Sequence, residues 1–299
     1  MNDNNPLIAL SNALADAVTT AAASTVLVNA RTRIPASGVA ITTDTVLTAN
    51  HVVEREEDIN VLLADGTQVP ASLLGRDQGS DLALLRLSHA LAKPAVKAND
   101  ARVGQVALAL GRPNSGGIQA THGIISAVGG PLRTGRANLL ERYLRTDAMA
   151  LPGFSGGPLV NAAGQVLGIN TSGFSPGTLL TIPAELAWAA ADTLRAQGRI
   201  PRGYLGVRTQ VVTLPENLQQ KLGRKQDRAL MLVGVEGGSA AEKTGLIVGD
   251  ILAGVGGKPL LDHDDLALHL MRDSVGRSLN LEVIRGGELR NVEIQVREA

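Results

Sequence analysis

The chain has 299 residues, 44% of them hydrophobic, with 28 basic and 28 acidic side chains and no cysteine. This length and apolar share indicate a globular protein of about two domains with a buried core. The balanced charge gives no electrostatic reason to expect nucleic acid or an anionic membrane as a partner, and the lack of cysteine excludes disulfides, thiolate catalysis and cysteine-ligated zinc.

Near the start, four apolar residues recur at helical spacing: Leu7, Leu10, Leu14 and Val18. They predict a short helix within residues 7–22, whose apolar stripe is expected to serve in helix packing or in an oligomer contact. No basic segment precedes the stripe, and Asp16 interrupts it, so neither a signal peptide nor a membrane span is predicted. The chain as given is expected to be soluble and, by default, cytoplasmic, unless an upstream export signal has been removed.

From about Thr25 the sequence changes to short β-rich runs separated by turn residues. In chain order the first runs are TVLVNA, GVAITTDTVLT, INVLLADGTQVPASLLG, DLALLRL and QVALALG, followed by GIQATHGIISAV, LLERYLRT and QVLGINTSG. The Asp65-Gly66 pair predicts a hairpin inside the third run. Many strands with little helix between them predict a barrel or a sandwich rather than a doubly wound sheet.

A helix is predicted from about Pro183, which suits a first helical turn, to Gly198, which suits a helix C-terminus. A basic connection with Gly and Pro follows, so a domain boundary is placed near Ile200. Beyond it, ALMLVGV and LNLEVIRGGELRNVEIQV predict strands, the second as a hairpin that turns at residues 286–287, and DDLALHLMRD predicts a short amphipathic helix.

Ser155 stands among glycines in PGFSGGPLV, a formal match to the nucleophile elbow of α/β-hydrolases. That elbow needs a helix after the serine, whereas a β-hairpin pattern follows here, and the only later histidines, His263 and His269, lie in the second module. Upstream, LTANHVVE places His51 after an apolar strand, and GSDLALLRL places Asp81 at the head of another. The order His51, Asp81, Ser155 is that of the chymotrypsin type, in which the histidine takes the serine proton and the aspartate orients the imidazole.

Glycines around the serine let the backbone fold tightly, so the amides of Gly153 and Ser155 are expected to stabilise the oxyanion of a tetrahedral intermediate. An isolated His51 would be interpreted as a core histidine and Asp81 as a strand-start cap, but their joint order and context favour the triad. Carboxylates surround His263 in LDHDDL, and helix capping by Asp264 explains them more simply than a metal. GVGGKPL lacks the spacing of a phosphate-binding loop, so neither a nucleotide nor any other cofactor is expected.

The motifs TANHVV, GSDLALLRL and DAMALPGFSGGPLVNAAGQVLGINTSG resemble the HtrA/Deg family of trypsin-like serine proteases. The similarity continues into RGYLGV and GSAAEKTGLIVGDILAGVGGKPL, which resemble the PDZ domain of that family. The resemblance implies a mainly β fold. An N-terminal helical segment (residues 1–22) precedes a chymotrypsin-like double β-barrel protease domain (residues 23–199), and a small α+β PDZ domain follows (residues 203–299). It also implies that His51 and Asp81 come from the first barrel and Ser155 from the second.

The same resemblance implies a substrate pocket lined by Ala150, Thr178 and Leu180. Met149 is near the position of the pocket base, where no acidic residue is found, so small or medium aliphatic side chains are expected rather than Lys or Arg. The family usually has Asn or Asp before the serine, and this chain has Phe154. Its ring is expected either to hold the oxyanion amides in place by packing behind the loop, or to pack there without any catalytic effect.

In the PDZ domain, the resemblance places the carboxylate-binding loop on four consecutive residues: Tyr204, Leu205, Gly206 and Val207. Backbone amides there would hold a peptide carboxylate while the peptide adds a strand to the sheet edge. The helix from about Asp265 to Met271 would line the groove with Leu266 and Leu270.

The sequence therefore predicts an ATP-independent serine endopeptidase that acts on unfolded or misfolded proteins in protein quality control and binds peptides through its PDZ domain. The expected partners are unfolded polypeptides and protein C-termini. Family members commonly form trimers through N-terminal segments that often carry aromatics, so a homo-oligomer is implied, although this chain has no aromatic residue before Tyr143. The alternative function is that of a catalytically degenerate protease fold that works as a peptide-binding chaperone or adaptor.

Overall fold

The computed structural model describes residues 5–134, 138–174, 179–271 and 274–298, which fall into two compact units divided between Ile200 and Pro201. The first unit contains two closed β-barrels, and the second contains an open sheet with short helices. Within these described ranges, no helix is long and apolar enough to cross a membrane.

Helix α1 (Pro6–Ala22) opens the first unit, with Asn5 as its N-cap through the amide of Leu7. Its C-terminal part buries Ala17 and Ala21, whereas residues 5–13 are exposed. The helix therefore packs on the barrels through its last turns only, and its first half presents apolar side chains to solvent.

The first barrel closes six antiparallel strands in the order β1-β2-β3-β6-β5-β4. Its strands are β1 (Thr25–Asn29), β2 (Ala36–Ala40), β3 (Thr45–Ala49), β4 (Ile59–Leu62), β5 (Gln68–Asp77) and β6 (Leu82–Leu87). A 3-10 turn (Asn50–Val52) follows β3. The predicted hairpin at Asp65-Gly66 is confirmed, because it joins β4 to β5 and Gly66 adopts a φ of +88°.

The second barrel closes in the order β11-β14-β13-β12-β7-β8. The strands of this half are β7 (Val106–Gly111), β8 (Gln119–Gly129), β9 (Leu132–Thr134), β10 (Asn138–Leu140), β11 (Tyr143–Thr146), β12 (Pro158–Val160), β13 (Val166–Thr171) and β14 (Leu180–Pro183), with β9 and β10 forming a separate pair. Helix α2 (Ala184–Gln197) then packs its small apolar face on the core and ends at Gly198, whose φ is +71°. The predicted double β-barrel is thus confirmed.

The second unit is built on a sheet in the order β16-β17-β18-β20-β21. Its elements are β15 (Gly203–Tyr204), β16 (Val207–Thr213), α3 (Glu216–Leu222), β17 (Arg228–Val235), α4 (Ala240–Lys243), β18 (Ile251–Val255), β19 (Lys258–Pro259), α5 (His263–His269), β20 (Ser278–Arg285), β21 (Glu288–Gln295) and β22 (Arg297–Glu298). The predicted hairpin at residues 286–287 joins β20 to β21, and both glycines have positive φ. Strand β16 lies at an edge of the described sheet.

The start of α5 differs from its prediction. The helix begins at His263 rather than at about Asp265, and Asp262, not Asp264, is its N-cap. The reason is local, because the Asp262 carboxylate accepts the amides of residues 264 and 265 at 2.9 and 3.1 Å.

Candidate active site

His51 and Asp81 form a tightly defined pair in the first barrel. His51 lies in the 3-10 turn after β3, and Asp81 immediately precedes β6. One carboxylate oxygen of Asp81 lies 2.7 Å from Nδ1 of His51, and the other accepts the backbone amide of His51 at 2.9 Å. Asp81 is only 5% exposed, so its carboxylate has little access to water. Both of its oxygens contact His51, one at the ring and one at the backbone amide. Because a carboxylate can only accept a hydrogen bond, a neutral His51 imidazole carries its proton on Nδ1 and has its free lone pair on Nε2.

The backbone of Asp81 is held in an unusual conformation. Its φ is +54°, in the left-handed region that residues other than glycine rarely adopt. Its carbonyl accepts the amide of Asn50 at 2.9 Å, and the Asp77 carboxylate accepts both the amide and the hydroxyl of Ser80 at 2.7 Å. These hydrogen bonds on both sides of Asp81 hold the turn and therefore fix the direction of its side chain.

A three-residue segment at the end of β13, Thr171 to Gly173, contacts all three predicted triad residues. The hydroxyl of Thr171 donates a short hydrogen bond to the Asp81 carboxylate. An added Cβ at Gly173 would lie 2.6 Å from the same carboxylate and 2.7 Å from Nδ1 of His51, so only glycine fits against the pair. This segment brings the second barrel onto the His51–Asp81 pair of the first.

Ser155 is 8% exposed, and its hydroxyl forms a hydrogen bond with Ser172 of the same segment. The Oγ atoms of Ser155 and Ser172 lie 3.0 Å apart, and the amide of Ser172 approaches Oγ of Ser155 at 3.4 Å. Within the described part of the chain, these are the hydrogen-bond partners of the Ser155 hydroxyl, and His51 is not among them. The structure thus brings all three residues to one segment, with the Ser155 hydroxyl hydrogen-bonded to Ser172.

Some backbone amides of the catalytic loop (residues 151–157) are hydrogen-bonded and others are free. Three of them donate to carbonyls within the second barrel, at 2.8 to 3.1 Å: Phe154, Gly156 and Gly157. The amides of Gly153 and Ser155 donate to no acceptor among the residues that the structure describes. Two unpaired N–H groups on alternate residues next to a serine hydroxyl are the donors that an oxyanion requires.

Phe154 packs behind the catalytic loop. Its side chain is 1% exposed and lies in a core cluster with Ile125 and Leu159. The ring occupies the space of a missing side chain at Gly111, where an added Cβ would lie 2.4 Å from a ring carbon. The burial that both interpretations of Phe154 required is confirmed, whereas its effect on catalysis stays a prediction.

The predicted pocket residues differ in accessibility. Ala150 is exposed and Met149 is 67% exposed, whereas Leu180 is 2% exposed at the start of β14. Thr178 lies outside the described residues. The substrate pocket therefore stays a prediction.

In the second unit, the predicted carboxylate-binding loop also carries free amides. The carbonyls of Leu205 and Gly206 each accept an amide at 2.9 Å, from Ala241 and Glu236 respectively. The amides of Leu205 and Gly206 have no acceptor in the described ranges. Gly206 has a φ of +81°, and an added Cβ there would lie 2.1 Å from the Cβ of Ser239, so the loop requires glycine.

Two residues flank this loop. The hydroxyl of Tyr204 donates to the Glu236 carboxylate, and this bond raises the pKa of the tyrosine above its usual value. Val207 begins the edge strand β16, whose outer side is the place where a peptide strand would pair.

Helix α5 lies beside the edge strand β16. Leu266 is 7% exposed within the core of the unit, and Leu270 is half-buried against that core. Nε2 of His263 lies 3.0 Å from the carbonyl oxygen of Thr209 on β16, a contact that the sequence did not predict. The groove assignment of Leu266 and Leu270 stays a prediction.

Sequence reasoning missed several residues that contact the site, among them Ser37 and residues 171–173. The segment 171–173 carried a weak signal, since INTSG places small polar residues at the end of a buried strand. Ser37 carried none, because ASGVA reads as an ordinary apolar strand. In the part of the chain that is described, no cluster of three or more His, Asp or Glu side chains could hold a metal ion.

Comparison with known proteins gives two family matches. Residues 36–169 match the trypsin-like peptidase domain, and residues 203–296 match the PDZ domain. The chain is 35% identical over 275 residues, 89% of its length, to a probable periplasmic serine endoprotease, DegP-like, of Rhizobium meliloti. It is 35% identical over 259 residues to a relative of the same description from Pseudomonas fluorescens, covering 84% of the chain. The chain spans about half the length of these curated relatives, 54% and 53%.

Solved structures resemble the chain over nearly its whole length. An HtrA-type protease, AlgW, with a tripeptide has a TM-score of 0.78 and 31% identity, with coverage of 96% of this chain and 97% of that one. A serine endoprotease from Yersinia pestis has a TM-score of 0.75 and 30% identity, with coverage of 96% and 98%.

Proposed function

The chain belongs to the HtrA/Deg family of trypsin-like serine proteases, and on that premise we propose that it is a serine endopeptidase that cleaves unfolded or misfolded proteins without ATP. The observation that carries the proposal is the meeting of His51, Asp81 and Ser155 on the segment Thr171 to Gly173, beside two unpaired loop amides. This arrangement supports a nucleophile, a general base, an orienting carboxylate and two oxyanion donors for the proposed reaction.

The first half of the reaction is acylation. Ser155 rotates from Ser172 toward His51, whose Nε2 takes the hydroxyl proton as Oγ attacks the scissile carbonyl carbon. The carbonyl oxygen gains negative charge, which the amides of Gly153 and Ser155 stabilise. The carboxylate of Asp81 stabilises the imidazolium, which then donates its proton to the leaving amine. Water then attacks the acyl carbon while His51 takes one of its protons. The imidazolium returns that proton to Oγ of Ser155 as the ester bond breaks, which frees the serine.

The experiment that tests the activity uses an active-site fluorophosphonate probe and an unfolded protein substrate. We expect the probe to label Ser155 and the chain to degrade the substrate, and we expect Ser155→Ala to abolish both. In a related mechanism, loss of the serine nucleophile costs on the order of 10⁶ in kcat. The exposed Ser126 on β8 supplies a control, since Ser126→Ala removes a surface hydroxyl and should leave labelling unchanged.

The rival function is that of a peptide-binding chaperone or adaptor on a catalytically degenerate protease fold. It predicts no labelling at Ser155 and no proteolysis, together with retained binding of unfolded protein. The intact His51–Asp81 pair and the two free loop amides favour the enzyme over this rival.

For the second unit, we propose that the loop from Tyr204 to Val207 binds the C-terminal carboxylate of peptides. The free amides of Leu205 and Gly206 beside the edge strand β16 support it, and the HtrA-type relative AlgW was solved with a tripeptide. Leu266 and Leu270 of α5 would contact the peptide side chains. A hydrophobic peptide with a free carboxylate should bind the full chain, and the same peptide with an amidated C-terminus should bind at least tenfold more weakly.

We propose that the specificity pocket, formed by Ala150, Thr178 and Leu180, accepts small or medium aliphatic side chains. The support is that none of these residues carries a charge and that Met149, near the pocket base, is not acidic. Profiling the cleavage sites in an unfolded protein tests this, and a preference for cleavage after Lys or Arg would refute it.

Self-association through α1 is a further part of the proposal, as a trimer by family resemblance. Leu7 and Ile8 are 75% and 52% exposed on the first half of the helix. Analytical ultracentrifugation should give a trimer that Leu7→Asp with Ile8→Asp dissociates. Leu91→Asp, at a residue that is 59% exposed elsewhere, is the control and should leave the mass unchanged.

The compartment of the protein is either the periplasm or the cytoplasm. The curated relatives are named periplasmic, whereas the default cytoplasmic placement of this chain stays a prediction. Fractionation of native cells with detection of the full-length protein decides between the two.

A further inference from the structure

Ser37 joins the first barrel to the catalytic loop of the second. It lies on β2, is fully buried, and belongs to none of the motifs that mark the site. Its hydroxyl donates to the carbonyl of Gly153 at 2.7 Å, and its backbone amide donates to the carbonyl of Ser155 at 3.1 Å. One residue thus binds the carbonyls of the same two residues whose amides are free.

The serine hydroxyl suits this place because of its hydrogen-bonding capacity. While it donates to Gly153, it accepts the amide of Arg112 at 2.8 Å. A hydroxyl has one donor and two acceptor sites, so it satisfies both buried backbone groups at once. Alanine would leave both groups without a partner, and a buried polar group without a partner is costly.

Arg112, whose amide binds the Ser37 hydroxyl, is itself held by hydrogen bonds of its side chain. The Arg112 guanidinium, whose pKa burial lowers from its usual value, donates to the carbonyl of Thr25 at 2.9 Å and to that of Ala22 at 3.3 Å. Ser37 itself has its carbonyl bound by the hydroxyl of Thr48 at 2.7 Å. Ser37 is therefore held in place by Thr48 and Arg112, which lie outside the catalytic loop that its hydroxyl binds.

The catalytic loop has no spare room on the side of Ser37. An added Cβ at Gly156 would lie 2.1 Å from the carbonyl oxygen of Ser37, and one at Gly157 would lie 3.1 Å from its Cβ. The loop backbone is therefore in close contact with β2. The hydrogen bonds of Ser37 favour one of the few loop conformations that this space allows.

We propose that Ser37 is a positioning residue of the oxyanion-binding loop, holding Gly153 and Ser155 by their carbonyls so that their free amides face the reacting oxygen. The proposal rests on the proposed function and adds to it a residue that does not touch substrate. Ser37 acts only through the shape of the loop. Its loss should therefore reduce stabilisation of the oxyanion while leaving peptide binding in place.

The test compares Ser37→Ala with Ser24→Ala in the full chain. Ser24 is also a buried serine, and its hydroxyl donates to the carbonyl of Ala21 at 3.1 Å rather than to the loop. We expect Ser37→Ala to lower kcat on a peptide substrate about 10- to 100-fold with KM changed less than about twofold. The affinity for a peptide boronate, whose tetrahedral adduct places an oxygen at the oxyanion position, should fall by a similar factor.

We expect Ser24→Ala to change kcat and boronate affinity less than about twofold per folded molecule, although it also loses a buried hydrogen bond. The thiol in Ser37→Cys is a weaker hydrogen-bond donor of similar size, so this variant should give an intermediate kcat. It replaces the alanine variant in the comparison if Ser37→Ala does not fold. Rates are normalised to the folded fraction by circular dichroism.

Equal behaviour of Ser37→Ala and Ser24→Ala, or an unchanged boronate affinity, would overturn the proposal. So would a wild-type rate in Ser37→Cys when the alanine variant is unfolded. Failure of the proposed function is distinguishable, because the wild-type protein would then not react with a fluorophosphonate at Ser155.

Discussion

The hydroxyl oxygens of Ser155 and Ser172 lie 3.0 Å apart, so at rest the predicted nucleophile is hydrogen-bonded to a neighbouring serine. Either hydroxyl can donate in this pair. While Ser155 donates to Ser172, its proton is not directed at Nε2 of His51, and the two partners therefore compete for it.

The substitution Ser172→Ala should speed the reaction of Ser155 with a fluorophosphonate by about 2- to 10-fold, the equivalent of one net hydrogen bond of 0.5–1.5 kcal/mol. Second-order rate constants of labelling measure the effect. Ser172→Thr keeps the hydroxyl and is the control that should stay near the wild-type rate. A slower reaction in Ser172→Ala would mean that this hydroxyl assists the nucleophile instead.

A methyl group at Gly173 should disrupt the pair of His51 and Asp81. The Cβ of Gly173→Ala would lie 2.6 Å from the Asp81 carboxylate and 2.7 Å from the imidazole, so one of them must move. A shift of about 1 Å in a catalytic group costs about 100-fold in rate, and we expect a loss of that size in kcat/KM. Gly237→Ala adds a methyl where nothing lies within 4 Å and should leave kcat/KM unchanged.

Removal of the Phe154 ring should both destabilise the protease unit and slow turnover. The side chain is 1% exposed, so Phe154→Ala is expected to cost about 3–5 kcal/mol of unfolding free energy. The cavity also frees the loop that carries the Gly153 and Ser155 amides, so turnover per folded molecule should fall. Urea denaturation followed by the fluorescence of Trp188, together with rates at low urea, separates the two effects. Unchanged turnover in the folded variant would leave Phe154 with a packing role alone.

Acid should weaken the second unit through Asp250, a fully buried carboxylate whose two oxygens accept Nε and one terminal nitrogen of Arg285, each at 2.7 Å. Burial by itself raises the pKa of Asp250, but the hydrogen bonds from Arg285 and from the amide of Ile247 lower it overall. A carboxyl whose folded pKa is lowered stabilises the fold above its unfolded pKa of about 4, and the stabilisation is lost as the pH falls through the folded value.

The pH dependence can be measured by hydrogen exchange of strands β18 and β20 in the full chain. Protection should be constant from neutral pH to about pH 4 and should fall below it, after correction for intrinsic exchange. Asp250→Asn should lower protection at neutral pH, by roughly 2–3 kcal/mol, and flatten the acid dependence. Glu288→Gln removes a carboxylate that pairs with Arg290 at 3.6 Å on the surface, and it should do neither.

Much of the fold could be predicted because its signals are local. Alternating apolar residues marked most strands, Asp65-Gly66 marked a hairpin, and Gly198 marked the end of α2. The start of α5 was misplaced because LDHDDL offers three aspartates that could serve as the N-cap, and only the backbone geometry selects Asp262.

The sequence by itself determined which residues can do the chemistry: a histidine, an aspartate and a serine in the order of one enzyme class, with glycines where the loop must turn. Only the tertiary structure decided that Ser37, 116 residues from Gly153, binds the loop, and that the segment Thr171 to Gly173 contacts the whole triad. The physical reason is that periodicity and turn chemistry act between near neighbours. Contacts between two barrels depend instead on how both sheets close and pack, and no short pattern in the chain records that.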